Sequence, residues 1–113
     1  MQQYQTVLKL QTPSQSLSNI TRQVDLAIAE SGIQTGLCTL FLRHTSASLI
    51  IQENADPDVQ TDLQAFFRRL VPPASDPSMG YLRHTLEGAD DMPAHIKAAM
   101  MPVTLSIPVV AGR

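Results

Sequence analysis

A single cysteine, Cys38, excludes an intrachain disulfide. It lies in an apolar alternating stretch with no nucleophile motif around it, which assigns it to core packing. Eight Lys and Arg residues, scattered along the chain against ten Asp and Glu, leave a net charge of -2 and no basic patch. That excludes the electrostatic footprint of nucleic-acid binding. The start, Met1-Gln2-Gln3-Tyr4, has neither a charged leader nor an apolar stretch, and no apolar run approaches a membrane span. A soluble, cytoplasmic protein is expected, with no membrane and no nucleic acid among its partners. HExxH and CxxC spacings are missing, as are internal repeats and low-complexity tracts, so a metal site would have to be assembled in space. At 113 residues the chain suits one domain, residues 1–113, that buries on the order of two-thirds of its unfolded surface.

The pattern that is present alternates between periods of two and 3.6. Tyr4, Thr6, Leu8 and Leu10 alternate with polar neighbours as a half-buried strand closed by Pro13 and two serines. Leu17, Ile20, Val24, Ala27 and Ile28 then recur at helical spacing, with Ser18 as expected N-cap and Gly32 just past the end. Few charges interrupt this helix, so it is expected to be central and covered on more than one side. Cys38, Leu40 and Leu42 share a strand face that His44 terminates. Leu49, Ile51 and Glu53 form the next, joined to it through Thr45-Ser46-Ala47 as an antiparallel pair. Asp56 caps a helix with Pro57 at its first position, Val59, Leu63, Phe66, Phe67 and Leu70 on one face, and a stop at Pro72-Pro73. After a surface loop to Gly80, Leu82, His84 and Leu86 read as a short extended segment. Asp91 is expected to cap a last helix, Met92 to Met101, with Met92, Ile96 and Ala99 inward, and Val103, Leu105, Ile107 and Val109 form a closing strand.

Two polar knots carry more chemistry than these elements need. His44, Thr45, Ser46, Ser48, Glu53, Asp56 and Asp58 crowd one fifteen-residue stretch, and His84 and His95 bracket Glu87-Gly88-Ala89-Asp90-Asp91. The three histidines are expected to converge in one pocket. His95, early in its helix, meets the positive end of the dipole, which favours the neutral imidazole that binds metals or accepts protons. Capping explains Asp56 and the dipole explains Asp58, whereas Glu53 ends an apolar face and must be solvated or paired. Asp90 and Asp91 cannot both be the N-cap, which leaves one carboxylate for other work. Helix N-termini beside small hydroxyl residues also favour a phosphate, and carboxylates close to it would call for a divalent metal such as Mg²⁺. A transition metal such as zinc on histidine and aspartate is the other reading.

The motifs His44-Thr45-Ser46-Ala47-Ser48, Gln52-Glu53-Asn54-Ala55-Asp56-Pro57-Asp58 and Gly88-Ala89-Asp90-Asp91-Met92-Pro93-Ala94-His95-Ile96-Lys97 resemble the YjbQ family, the secondary thiamine-phosphate synthase enzymes, over nearly the whole chain. The resemblance implies an α+β fold with antiparallel sheets around a buried N-terminal helix, and a homotrimer with sites near subunit contacts. It implies condensation of a pyrimidine diphosphate with a thiazole phosphate, in a family whose native role is unsettled. That likeness carries over His44, Thr45, Ser46, Glu53, Asn54, Asp56, His84, Asp90 and His95 as site residues; in the expected site His44, Glu53, His84 and His95 are catalytic, and Thr45, Ser46 and Asn54, together with Lys97, hold a phosphorylated substrate. Asp56 and Asp90 are the metal ligands, joined by His44, His84 and His95 if the ion is a transition metal. A His/Asp metal-dependent hydrolase and a non-enzymatic trimeric binding module are the alternatives. The family continues past Gly112-Arg113 into a tryptophan-containing segment, and this chain has no tryptophan. Its C-terminal strands are therefore expected to be missing, leaving an open sheet edge prone to non-specific association that light scattering would detect.

Overall fold

A computed structural model describes residues 1–12 and 14–113, so Pro13 and its strand-closing role lie outside the described residues. Its elements run α1 (Thr21–Ser31), β1 (Thr35–Phe41), α2 (Pro57–Leu70), a 3₁₀ turn (Pro77–Met79), α3 (Asp91–Ala99) and β2 (Thr104–Val110). This is a small α+β protein with three helices and one two-stranded sheet, β1-β2, among the described residues. Among the described residues no helix is long and apolar enough to cross a membrane. The chain divides into two compact units, residues 1–40 with 105–113, and residues 41–104.

In the first unit, Val24 and Ile28 on α1 pack with Val109 of β2, and Ile20, Cys38 and Leu40 close around them. Cys38 is thus a free thiol beside a small core, as its alternation implied. The strands are antiparallel, since Gln34 just before β1 accepts a hydrogen bond at 3.0 Å from Gly112 just after β2. The expected alternation holds in both: Cys38 and Leu40 on β1, and Leu105, Ile107 and Val109 on β2, are the more buried positions. Gly32 ends α1 in the left-handed region at φ 69°, where glycine carries no Cβ penalty.

Three expectations fail here. Residues 4–11 form no strand; a strand exists only where a partner completes its hydrogen bonds, and β1 and β2 take each other. Ser18 does not cap α1: the helix starts later, at Thr21, whose N–H is accepted by Asn19 Oδ1 at 3.0 Å. Nor is α1 covered on several sides, because only Val24 and Ile28 are buried while Leu26 is 55% exposed.

In the second unit, α2 begins as its sequence dictates. Pro57 supplies a preset φ at the first position, and Asp56 Oδ1 accepts the Asp58 N–H at 2.9 Å. Asp56→Ala should therefore lower stability by about 0.5–2 kcal/mol in a urea melt, whatever else the residue does. Phe66 and Leu70, expected on the inner face, are more than half exposed, and Val59, Leu63 and Phe67 are the half-buried set.

Asp76 caps the 3₁₀ turn in the same way, accepting from the Ser78 hydroxyl at 2.7 Å and its N–H at 2.9 Å. These bonds, the hydroxyl's first, hold its carboxyl below the usual aspartate range. A depressed folded pKa means that the turn's stabilisation is complete above the unfolded aspartate value and lost as pH falls through the folded one. An NMR pH titration of the Ser78 amide should give a midpoint below that of an unfolded-chain aspartate.

The expected hairpin partner, residues 49–53, is not a strand. The Leu49 N–H instead bonds to the Pro102 carbonyl at 2.8 Å, and Ser48 Oγ donates to the Ala98 carbonyl at 3.3 Å. These bonds lay the 45–49 segment along the C-terminal end of α3. Leu86, in the segment read as extended, is fully exposed. On α3 the inward residues are Pro93, fully buried, and Ala98, whereas Ala99 is exposed.

Candidate metal centre

The second unit gathers His84, Asp91 and His95. Gly88 makes this possible: at φ 105° it turns the chain after His84, so that the residue going in meets the one coming out seven positions later. Asp91 opens α3 and His95 follows one turn on, and that i,i+4 spacing stacks both on one helix face. Asp91 Oδ2 lies 2.7 Å from His84 Nε2 and 3.3 Å from His95 Nε2. The two imidazoles meet edge to face with centroids 5.8 Å apart.

The tautomer of His95 is fixed from fifty residues away. Its Nδ1 lies 2.9 Å from the Thr45 carbonyl oxygen, which can only accept, so Nδ1 carries the proton. In the neutral ring Nε2 is then a lone pair facing a carboxylate oxygen. Two acceptors in that arrangement need positive charge between them, from a proton or a metal ion.

Asp91 is the residue that sequence reasoning misassigned. Expected as the N-cap, it is the first helical residue, while Asp90 occupies the cap position without a side-chain capping bond. The available signal was the Asp-x-x-x-His spacing of Asp91 and His95, which puts a carboxylate and an imidazole on one face. The part played by the Thr45 carbonyl had no sequence signal, since every residue has one.

His44 lies close by without joining the cluster. With Thr45 and His95 it lines a recess of about 410 Å³ whose other walls are Phe41, Leu42, Arg43, Ala98, Ala99 and Val103. Its Nδ1 is turned back to Ser46, 3.0 Å from both that residue's backbone nitrogen and its Oγ. Glu53 and Asn54 are exposed: the Glu53 N–H bonds to Gln52 Oε1, and Asn54 Oδ1 accepts from Gln60 Nε2 at 2.7 Å. The three-donor group present among the described residues includes neither Asp56 nor Asp90. Lys97 is half-buried, and desolvation lowers its pKa, with Asp90 opposing and Arg68 assisting.

Fold and site together define a small α+β protein that carries a histidine–aspartate cluster in its second unit. The chain belongs to the YjbQ-like UPF0047 protein family, whose model matches residues 6–113. It is 52% identical to the UPF0047 protein sll1880 of Synechocystis sp. over 98% of this chain and 73% of that protein. It is 41% identical to the UPF0047 protein YjbQ of Escherichia coli O157:H7 over 97% and 77% respectively. Among solved structures, the conserved hypothetical protein TT1486 of Thermus thermophilus superposes with a TM-score of 0.78 at 38% identity, covering 94% of this chain and 76% of that one. A YjbQ/UPF0047-family protein of Clostridium acetobutylicum gives 0.75 at 33% identity, covering 92% and 75%.

Proposed function

We propose that His84, Asp91 and His95 hold a divalent transition metal, zinc being the best match, and that the site acts on a phosphorylated small molecule seated in the neighbouring recess. The observation that carries this is the convergence of three donor atoms within 4.8 Å of one another. Ligands at zinc distances of roughly 2.0–2.2 Å in tetrahedral array stand about 3.4 Å apart, close to the Asp91–His95 spacing of 3.3 Å. The tighter His84–Asp91 contact would open by well under an ångström. Two imidazoles and one carboxylate suit zinc, whereas Mg²⁺ favours oxygen donors. Thr45 supports the reading: its carbonyl holds the His95 ring with Nε2 free to ligate.

With three protein ligands and an open position, such an ion would supply a Lewis acid to a substrate oxygen. The chain's own residues then orient and neutralise. Arg43 brings a positive charge to the recess wall, and Phe41, Leu42 and Val103 exclude water from the substrate's apolar part. The specific reaction we propose is the one implied by the family resemblance, in which a pyrimidine diphosphate joins a thiazole phosphate and diphosphate departs. A charged leaving group of that kind benefits most from positioned donors and cations. The homotrimer, proposed on the same resemblance, would show in light scattering as three times the chain mass.

Zinc titration of the dialysed protein is the test. Binding of about one ion per chain is the expected result. Failure to bind zinc in stoichiometric amounts overturns the metal part of the proposal.

A further inference from the structure

We infer that His44 is the site's hydrogen-bond donor to an anionic substrate oxygen, through its Nε2–H, and is not a metal ligand. The inference rests on the proposed substrate class but not on the metal.

Its basis is a pair of opposed tautomers set by adjacent residues. The Ser46 backbone N–H can only donate, and it does so to His44 Nδ1 at 3.0 Å. The Nδ1 of the ring is therefore unprotonated, and neutral His44 carries its proton on Nε2. One residue earlier, the Thr45 carbonyl imposes the opposite choice on His95. A three-residue turn thus makes one imidazole a donor and the other a lone-pair ligand, at a single recess that both line.

Metal binding by His44 would need a lone pair that the ring does not have in this tautomer. Its Nδ1 pair is occupied by the Ser46 N–H, and Nε2 bears hydrogen. The same geometry argues against Ser46 as a nucleophile with His44 as its base. Although Ser46 Oγ is also 3.0 Å from Nδ1, it shares a lone pair that a backbone donor already holds, which weakens the ring as a proton acceptor there. Nε2 is the one polar atom of the ring left to meet a ligand. The recess walls are mostly apolar, so few protein groups compete for that donor. A phosphate monoester or diphosphate oxygen fits; a carboxylate presents the same chemistry.

Long-range ¹H–¹⁵N correlation spectra of the metal-free full chain at neutral pH decide the tautomers directly. Expected is a protonated Nε2 with unprotonated Nδ1 at His44, and a protonated Nδ1 at His95; a protonated Nδ1 at His44 overturns the inference. Inorganic phosphate and acetate, titrated into the metal-free chain, then probe the donor role and distinguish the two oxygen sources. Phosphate should shift the His44 resonances, and His44→Ala should weaken its binding on the order of 10- to 100-fold. His44→Gln, whose amide N–H can stand near the place of Nε2–H, should recover most of the loss. Zinc affinity should stay within about twofold of wild type in both variants, because the hydrogen bonds of the His44 ring run to Ser46 and to none of the three proposed ligands. Phosphate affinity unchanged in His44→Ala, absence of any phosphate-induced shift in wild type, or loss of zinc from His44→Ala each overturns the inference. A wild-type chain that binds no zinc but shows the expected tautomers and phosphate response would remove the metal proposal alone.

Discussion

Asp91→Ala should lower zinc affinity by on the order of 100-fold or more, at the upper end of what loss of a supporting partner alone produces. Asp91 Oδ2 contacts both imidazoles, so its removal deletes a proposed ligand and leaves His84 and His95 without the carboxylate that would balance the ion's charge. His84→Ala and His95→Ala should lose affinity comparably, and the three effects should be far from additive because the ligands act as one unit. Asp90→Ala is the informative contrast. Asp90 stands next in sequence, but its carboxylate is outside the three-donor group, so zinc binding should be retained. Isothermal titration of the four variants separates these outcomes, and equal losses in Asp90→Ala and Asp91→Ala would show that general negative charge, not ligation, draws the ion. In wild type, zinc at about 100 times its dissociation constant should add roughly 2.7 kcal/mol of stability, an increment that Asp91→Ala should lack.

Ile28→Ala should destabilise the fold by about 2–5 kcal/mol, the range for deleting a buried isoleucine side chain to alanine. The first unit's buried core consists of Val24, Ile28 and Val109, with Ile20, Cys38 and Leu40 only half-buried around it. A core so small has few neighbours that can move into the space left behind. Leu26→Ala, two residues away on the same helix, should change stability by about 0.5 kcal/mol or less, because that side chain is already 55% exposed. Urea denaturation of both variants checks the pair. Similar losses at Leu26 and Ile28 would show that α1 is covered on both sides, as its apolar composition suggested.

The contrast between these two residues shows where sequence stops being informative. Leu26 and Ile28 have similar hydropathy, and helical periodicity placed Leu26 off the main stripe without saying whether a second layer would cover it. The candidate site divides in the same way. His84 and His95 stood out because imidazoles beside an acidic knot are unusual equipment for a turn and a helix start. Asp90 and Asp91 are equivalent in composition and differ only in which follows the turn at Gly88 with its side chain toward His84, so which carboxylate meets the histidines had no mark in the sequence. Glu53 and Asp56 were grouped with the histidines by closeness along the chain and Asn54 by the family resemblance, and their observed hydrogen bonds are with Gln52, Asp58 and Gln60 respectively.

What the sequence determined by itself is the set of features decided within four or five residues. Asp56-Pro57 starts α2, Gly32 ends α1, alternation places Cys38, Leu40 and Val109 inward, and the Asp91–His95 spacing puts both on one helix face. Each follows from a local backbone preference or a helical or strand period, which the residue types themselves encode. Only the tertiary structure decided that β1 pairs with β2 and not with residues 49–53, and that residues 4–11 find no strand partner. It alone decided that the Thr45 carbonyl and the Ser46 N–H set opposite tautomers on His95 and His44. Those choices are made by backbone N–H and C=O groups that nearly every residue carries alike, so their pairing is fixed by where the folded chain brings them and leaves no mark in the order of side chains.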